Sequence, residues 1–240
     1  MRIRLTVEYD GGAYFGWQFQ KGQRSVQGEM EKALQVIFKK KIGLTASGRT
    51  DSGVHARNQV VHCDIPDFDL FRLKRSLNGL LDRDIAVKSV KSCEQNFHAR
   101  FDAKKRCYSY TIALRPTALR RDYSWQVFYP LNLTLMQRGA GMIREFSDFR
   151  AFCKVRSDVN NYLCTIYESR WRIKDDFLIY EICANRFLHG MVRAITGHLI
   201  GLGKGAVDLR EFREAMESGD RRRVKTSAPP QGLVLENVFY

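Results

Sequence analysis

Residues 48–56 read Gly48-Arg49-Thr50-Asp51-Ser52-Gly53-Val54-His55-Ala56, which sets a carboxylate two residues after a guanidinium and four before an imidazole. A carboxylate that attacks as a nucleophile must stay ionised in a closed site, and adjacent cationic or polar groups favour its charged form. The same letters also make a turn, because Asp51 and Ser52 before Gly53 suit a β-turn closed by side-chain hydrogen bonds to the backbone. Arg49 and His55 on either side tip the reading from a plain turn toward a site.

Other chemistry-bearing residues are more dispersed. Arg186, His189, Arg193 and Thr196 recur at helical spacing, so they predict one face of a helix over 186–202. That face is either a solvated basic surface or a route by which Arg193 meets a carboxylate. Tyr108 and Tyr110 alternate along a strand and point to the same side, as core packing or as rings on which an extruded base could stack. Gly201-Leu202-Gly203-Lys204-Gly205 lacks the spacing of a phosphate-binding loop and has no Ser or Thr after Lys204, so it reads as a flexible helix end. Arg221-Arg222-Arg223 with Lys225 is a solvated basic run that also suits phosphate contact. The six cysteines (63, 93, 107, 153, 164 and 183) contain no C-x-x-C pair and the five histidines no ligand spacing. Reduced, mostly buried thiols and no metal site are expected.

The elements that would position these residues follow from periodicity. Ile3, Leu5, Val7 and Tyr9 alternate with polar residues as in a half-buried strand. Ser25 caps a helix carrying Val26, Met30, Ala33, Leu34, Ile37 and Phe38. A short strand near Leu44, a strand through Val61, Cys63 and Ile65, a helix over Leu70 to Leu81 and a strand from Ile85 to Val90 complete a βαββαβ half. The rest repeats the theme: strand 108–113, a helix starting near Thr134, a hairpin of 167–173 and 177–184 across Asp175-Asp176, the helix over 186–202, a short helix 209–216 and a last strand 233–238. The expected fold is therefore α+β, with two βαββαβ-like halves, antiparallel sheets with helices on one face, and the active-site cleft between the halves. The predicted domains are residues 1–103, with the Asp51 loop, and 104–240, with Tyr108 and Arg193.

Of 240 residues, 44% are hydrophobic, enough for a real core, and 40 Lys plus Arg against 26 Asp plus Glu leave a net charge of +14. Such an excess points to a polyanionic partner. No apolar run approaches the roughly 20 residues needed to span a bilayer. The first ten residues alternate instead of forming the apolar stretch of a signal peptide. Nucleic acid thus fits better than membrane, and a cytoplasmic location is expected.

The Asp51 loop resembles the signature loop of the bacterial tRNA pseudouridine synthase A family. Three further segments match in order: Tyr9-Asp10-Gly11 with Phe15-Gly16-Trp17-Gln18, then Cys107-Tyr108-Ser109-Tyr110, then Phe187-Leu188-His189-Gly190-Met191-Val192-Arg193. The resemblance runs nearly end to end. It implies that Asp51 is the nucleophile, that Arg193 pairs with it and keeps it ionised, that Tyr108 packs against the target base and can take its C5 proton, and that Arg49 helps flip the uridine out. It implies a homodimer that isomerises uridines 38, 39 and 40 of the tRNA anticodon stem-loop without a cofactor. Two departures, Cys164 where the family often has a basic residue and Ser109 where it often has Arg, bear on RNA contacts and not on the Asp51 loop. The rival readings are a synthase acting on ribosomal RNA and a non-catalytic RNA-binding protein.

Overall fold

The computed structural model describes residues 1–154 and 161–240. Its contacts divide the chain into two compact units. The first is Met1–Lys104 together with Val234–Tyr240, and the second is Lys105–Leu233. The expected second half ran to residue 240. Its last strand is grouped with the first unit, because hydrogen bonding across a sheet is indifferent to sequence distance.

In the first unit, β1 (Arg2–Tyr9) is flanked by β3 (His55–Asp64) and β4 (Ile85–Ser92), both antiparallel to it. The short β2 (Thr45–Ala46) pairs antiparallel with β3, and β9 (Leu233–Phe239) pairs with β3 in parallel. The alternation read in β1 holds, with Ile3, Leu5, Val7 and Tyr9 all buried. Beyond Val7↔Gln59 the register with β3 jumps to Tyr9↔Ala56. Arg57 and Asn58 therefore face Glu8 alone, a bulge of the kind that bends a strand near a working loop. Helix α1 (Val26–Phe38) starts at Ser25, whose side chain accepts from Gly28 N–H. Helix α2 (Leu70–Leu80) starts at Asp69, whose carboxylate accepts from Phe71 and Arg72. Such caps satisfy backbone donors that a helix cannot pair internally.

In the second unit, β5 (Lys105–Ala113), β8 (Phe177–Ala184) and β7 (Ile166–Lys174) form consecutive antiparallel pairs, and β6 (Trp125–Gln126) joins the end of β5. The hairpin from β7 to β8 turns at Asp175, as predicted, with φ 53°. Helices α3 (Leu133–Met142), α4 (Met191–Gly203) and α5 (Leu209–Ser218) pack on one another, and α3 also packs on β7. A capping box between Asp208 and Glu211 opens α5.

Three expectations are corrected. Helix α4 begins at Met191, not Arg186, because Gly190 at φ 72° takes a left-handed conformation that breaks the helical path. Arg186 and His189 thus lie outside α4, and Thr196 is buried and donates to the Val192 carbonyl, so the predicted basic face does not form. The run from Gly201 is the end of a helix, as read, but it is not loose at Gly203. A Cβ on Gly203 would stand 2.4 Å from the sulfur of Met136, so this glycine lets α3 and α4 meet. Finally, Cys107 and Cys183 are not free thiols but a disulfide. They are direct cross-strand partners on β5 and β8 with Cα atoms 4.1 Å apart. Cys63, Cys153 and Cys164 are buried thiols, as read, and Cys93 is half-buried.

Helix α4 also buries His198, stacked on Phe212 at 4.8 Å and edge-on to Phe152. Its Nε2 has no hydrogen-bond partner among the described residues. Burial, then the nearby Arg221, pushes its pKa down to about 4. The unfolded chain, with an ordinary imidazole, therefore binds one more proton between pH 4 and the usual value near 6.5. Stability is fully present above about pH 6.5 and falls as the pH drops toward 4. Urea unfolding at pH 7.5 and 4.5 should show a loss of about 2 kcal/mol from this group, and His198→Phe should flatten that part of the pH dependence. An equally steep dependence in the variant would assign it elsewhere.

Candidate active site

The Asp51 loop connects β2 to β3 in the first unit, and its backbone is tied down at nearly every residue. Trp17 N–H donates to Thr50 O (3.1 Å), Gly53 N–H to Tyr14 O (3.2 Å), and Val54 N–H to Asp51 O (3.1 Å). The last of these closes a β-turn over Asp51–Val54, with Gly53 at φ 77° supplying the left-handed position. The turn reading is thus met by these four residues. Side chains finish the loop. Ser52 Oγ donates to Tyr14 O (3.2 Å), and Gln59 Nε2 to Gly48 O (2.9 Å) while its Oε1 accepts from Ser47 Oγ (2.6 Å). Tyr9 Oη and Thr50 Oγ1 lie 2.8 Å apart in a buried hydrogen bond. Burial pushes the Tyr9 hydroxyl up to about 12, with the Thr50 and Gln59 hydrogen bonds pulling the other way, so it stays a neutral phenol.

Within this loop Asp51 is half-buried, Arg49 exposed and Thr50 buried. His55, read as a loop residue beside Asp51, is instead the buried first residue of β3. Its Nδ1 accepts from Gly11 N–H at 3.0 Å and lies 3.0 Å from Asp10 Oδ1. It therefore pins the Asp10-Gly11-Gly12 turn that follows β1. The contact is close enough that a Cβ on Gly11 would stand 2.0 Å from Val54 O. Sequence reading gave Tyr9 no role beyond its strand and its matching segment, and passed over Tyr14 and Gln59. For Tyr9 a signal was present: a tyrosine on the buried side of a strand needs a partner for its hydroxyl.

The second unit holds Tyr108 and Arg193. Tyr108 is half-buried on β5, with Phe187 edge-on to it at 5.2 Å and 90°. Arg193 sits in the first turn of α4, where every other residue except Gly201 is buried. Arg193 Nε donates to Ala228 O (2.8 Å), and Ala228 N–H donates back to Arg193 O (2.9 Å). The segment 226–229 thus forms a strap over α4. Gly197 permits it, since a Cβ there would stand 2.6 Å from Thr226 O. Tyr110 Oη donates to Pro229 O (2.8 Å). Burial raises the Tyr110 pKa, opposed by the charge of Arg193. The structure therefore brings Arg49 and Asp51 together on one loop of the first unit, while Tyr108 and Arg193 belong to the second. Among the described residues, no group of three or more His, Cys, Asp or Glu is gathered as a metal site requires, and no helix is long and apolar enough to cross a membrane.

The model of the tRNA pseudouridine synthase family matches residues 5–102 and 146–240. The chain belongs to this family. The tRNA pseudouridine synthase A of Geobacillus sp. (strain WCH70) is 40% identical over 247 residues, covering 100% of this chain and 98% of its own. That of Bacillus subtilis (strain 168) is 40% identical and covers 100% and 99%. That of Bacteroides fragilis is 37% identical and covers 100% and 96%. In fold space, a chain of a Cbf5-Nop10-Gar1 complex aligns over 82% of this chain and 54% of its own, at 12% identity and a TM-score of 0.33, a likeness too slight to bear on activity. A tRNA pseudouridine synthase is an isomerase: it breaks one bond within a nucleotide and forms a different one, adding no atoms.

The close approach of Gly11 to Val54 separates two neighbouring glycines. Gly11→Ala should cost about 2 kcal/mol or more, since backbone must move to admit the methyl group. Gly12→Ala, whose new atom meets only the end of the Asp10 side chain at 3.1 Å, should cost under about 0.5 kcal/mol. Urea titration of both variants decides; equal costs would mean the turn does not rest on the loop as described.

Proposed function

We propose that Asp51 is the nucleophile of a tRNA pseudouridine synthase acting on uridines 38, 39 and 40 of the anticodon stem-loop. The observation that carries the reading is the over-determined Asp51 turn in a chain that matches tRNA pseudouridine synthases along its full length. A carboxylate that attacks must be aimed before the substrate arrives, because any freedom left in the loop is lost again at the transition state.

In this reading the target uridine leaves its stack, at a cost of about a few kcal/mol. The exposed Arg49 fills the space and Tyr108 packs against the extruded ring. Asp51 drives cleavage of the C1′–N1 bond, the uracil turns, and C5 bonds to C1′. C5 gives up its proton, for which Tyr108 is the acceptor, and N1 gains one, so the base leaves with the composition it had. Arg193 keeps Asp51 ionised by offsetting its desolvation. Its Nε is held by the Ala228 carbonyl. The reaction needs no outside electrons or energy, hence no cofactor. The excess of positive charge provides salt-dependent affinity for phosphates, and the shape of the stem-loop provides choice. The same reading carries a homodimer working in the cytoplasm.

Asp51→Ala should abolish pseudouridine formation in unmodified tRNA transcripts, while tRNA affinity stays within about fivefold. Site-resolved detection on total RNA from a deletion strain would show loss at 38–40; intact tRNA with a missing ribosomal pseudouridine would sink the substrate assignment. Arg193→Ala should lower kcat by about a hundredfold or more with a much smaller change in Kd. An unchanged turnover rate would remove Arg193 from its role.

A further inference from the structure

A column of aromatic rings runs through the 97–102 turn of the first unit. Phe97 lies 5.0 Å from Tyr240 and 6.1 Å from the buried His62. His62 lies 4.9 Å from His98, and Phe101 stacks on His98 at 4.3 Å and 29°. The guanidinium of Arg4 sits 5.7 Å from both the Phe97 and Tyr240 rings, and that of Arg100 lies 5.6 Å over Phe101. The column is rooted in the sheet and ends in solvent, where Phe101 is 75% exposed.

The turn that carries Phe101 is fixed from all sides. His98 Nδ1 accepts from Arg100 and Phe101 N–H, each at 3.2 Å. His98 N–H donates to Asp102 Oδ2 (2.7 Å), and Asp102 N–H returns to His98 O (3.0 Å). Ala99 is held from both ends, its N–H donating to His62 Nδ1 (3.1 Å) and its carbonyl accepting from Tyr240 Oη (2.7 Å). A large ring held rigidly in water pays little entropy when something flat settles on it.

We propose that Phe101, backed by His98 and flanked by Arg100, is a stacking platform for an unpaired base of the RNA substrate. This rests on the RNA-modifying reading above. Charge and chemistry select the occupant. The chain carries an excess of fourteen cations, which suits a polyanion. An aromatic face beside an arginine suits the π-face of a base. The adjoining cleft, about 510 Å³, mixes Arg4 and Asn96 with the carboxylates Glu94 and Asp102. That mixture repels a phosphate and offers both donors and acceptors to the edge of a neutral base.

The test is the affinity of the full-length protein for unmodified tRNA transcript, measured without turnover, for Phe101→Ala, Phe101→Leu and Phe101→Trp. Because the ring is exposed, none should lower the Tm appreciably. Phe101→Ala should weaken binding by about five- to a hundredfold, with the loss in turnover falling on KM more than on kcat. Phe101→Leu should be nearly as weak, and Phe101→Trp should bind within about twofold and show fluorescence quenched by RNA beyond that of the parent protein. Parental affinity in Phe101→Ala overturns the platform, and parental affinity in Phe101→Leu makes it a plain apolar contact. If sedimentation of Phe101→Ala shows altered self-association with unaltered Kd, the occupant is a second copy of the chain and the proposal fails. A parent protein that binds tRNA through Phe101 yet forms no pseudouridine would instead fail the functional reading and leave the platform standing.

Discussion

Gly11 and Val54 meet backbone to backbone, with no room for a side chain at position 11. This contact presses the turn after β1 onto the loop before β3, and the bonds of the Asp51 loop lie beside it. His55 can accept from Gly11 N–H only because the two segments touch. Tyr14 then presents its carbonyl to both Gly53 and Ser52, and Gly16, at φ 86°, brings Trp17 to Thr50. A loop has no ladder of neighbouring strands to hold it, so its polar groups need these scattered partners. Each such bond contributes about 1 kcal/mol net. Their larger effect is that no single one can open while the others stay closed. The Asp51 backbone inherits that rigidity.

The second unit fixes a cation by a different device. Helix α4 is buried along almost its whole length, which leaves Arg193 as its one charged side chain among residues that face the core. A long flexible side chain there would lose much of its value to rotamer freedom. The Ala228 carbonyl restricts that freedom by holding Nε. Gly197 is the enabling residue, for any larger one would lift the strap off the helix. In both units a glycine without chemistry of its own lets two backbone segments meet.

Much of this was legible in the sequence. Period two in Ile3 to Tyr9, the Ser25 cap and the Asp175-Asp176 turn are local signals, and local physics fixes those elements. The Asp51 loop was legible through its unusual mixture of charge and glycine. What was hidden depends on distant partners. The apolar spacing from Leu188 onward runs smoothly into α4, and only the left-handed Gly190 reveals that the helix has not begun. Residues 107 and 183 have no sequence relation; they become a bonded pair through the register of β5 against β8. His55 looked like a loop residue because strand β3 begins among glycines and polar residues, where alternation is weakest.

The surface charge and the Asp51 turn are held by interactions that respond differently to salt. Acidic side chains are already committed to local pairs, such as Asp64 with Arg2, Asp82 and Asp84 with Arg24, and Glu181 with Arg170 and Arg172. Forty cations against 26 acids leave an excess that internal pairing cannot absorb. Those cations face solvent, where salt screens them and where phosphates are their natural complement. The bonds that hold the Asp51 turn are of the opposite kind: the Tyr9–Thr50 pair is neutral, short and buried, so ions have little effect on it. Rising salt therefore weakens the capture of RNA while leaving the turn intact. Attraction of phosphates is spread over many cations, whereas the Asp51 turn depends on a few close contacts.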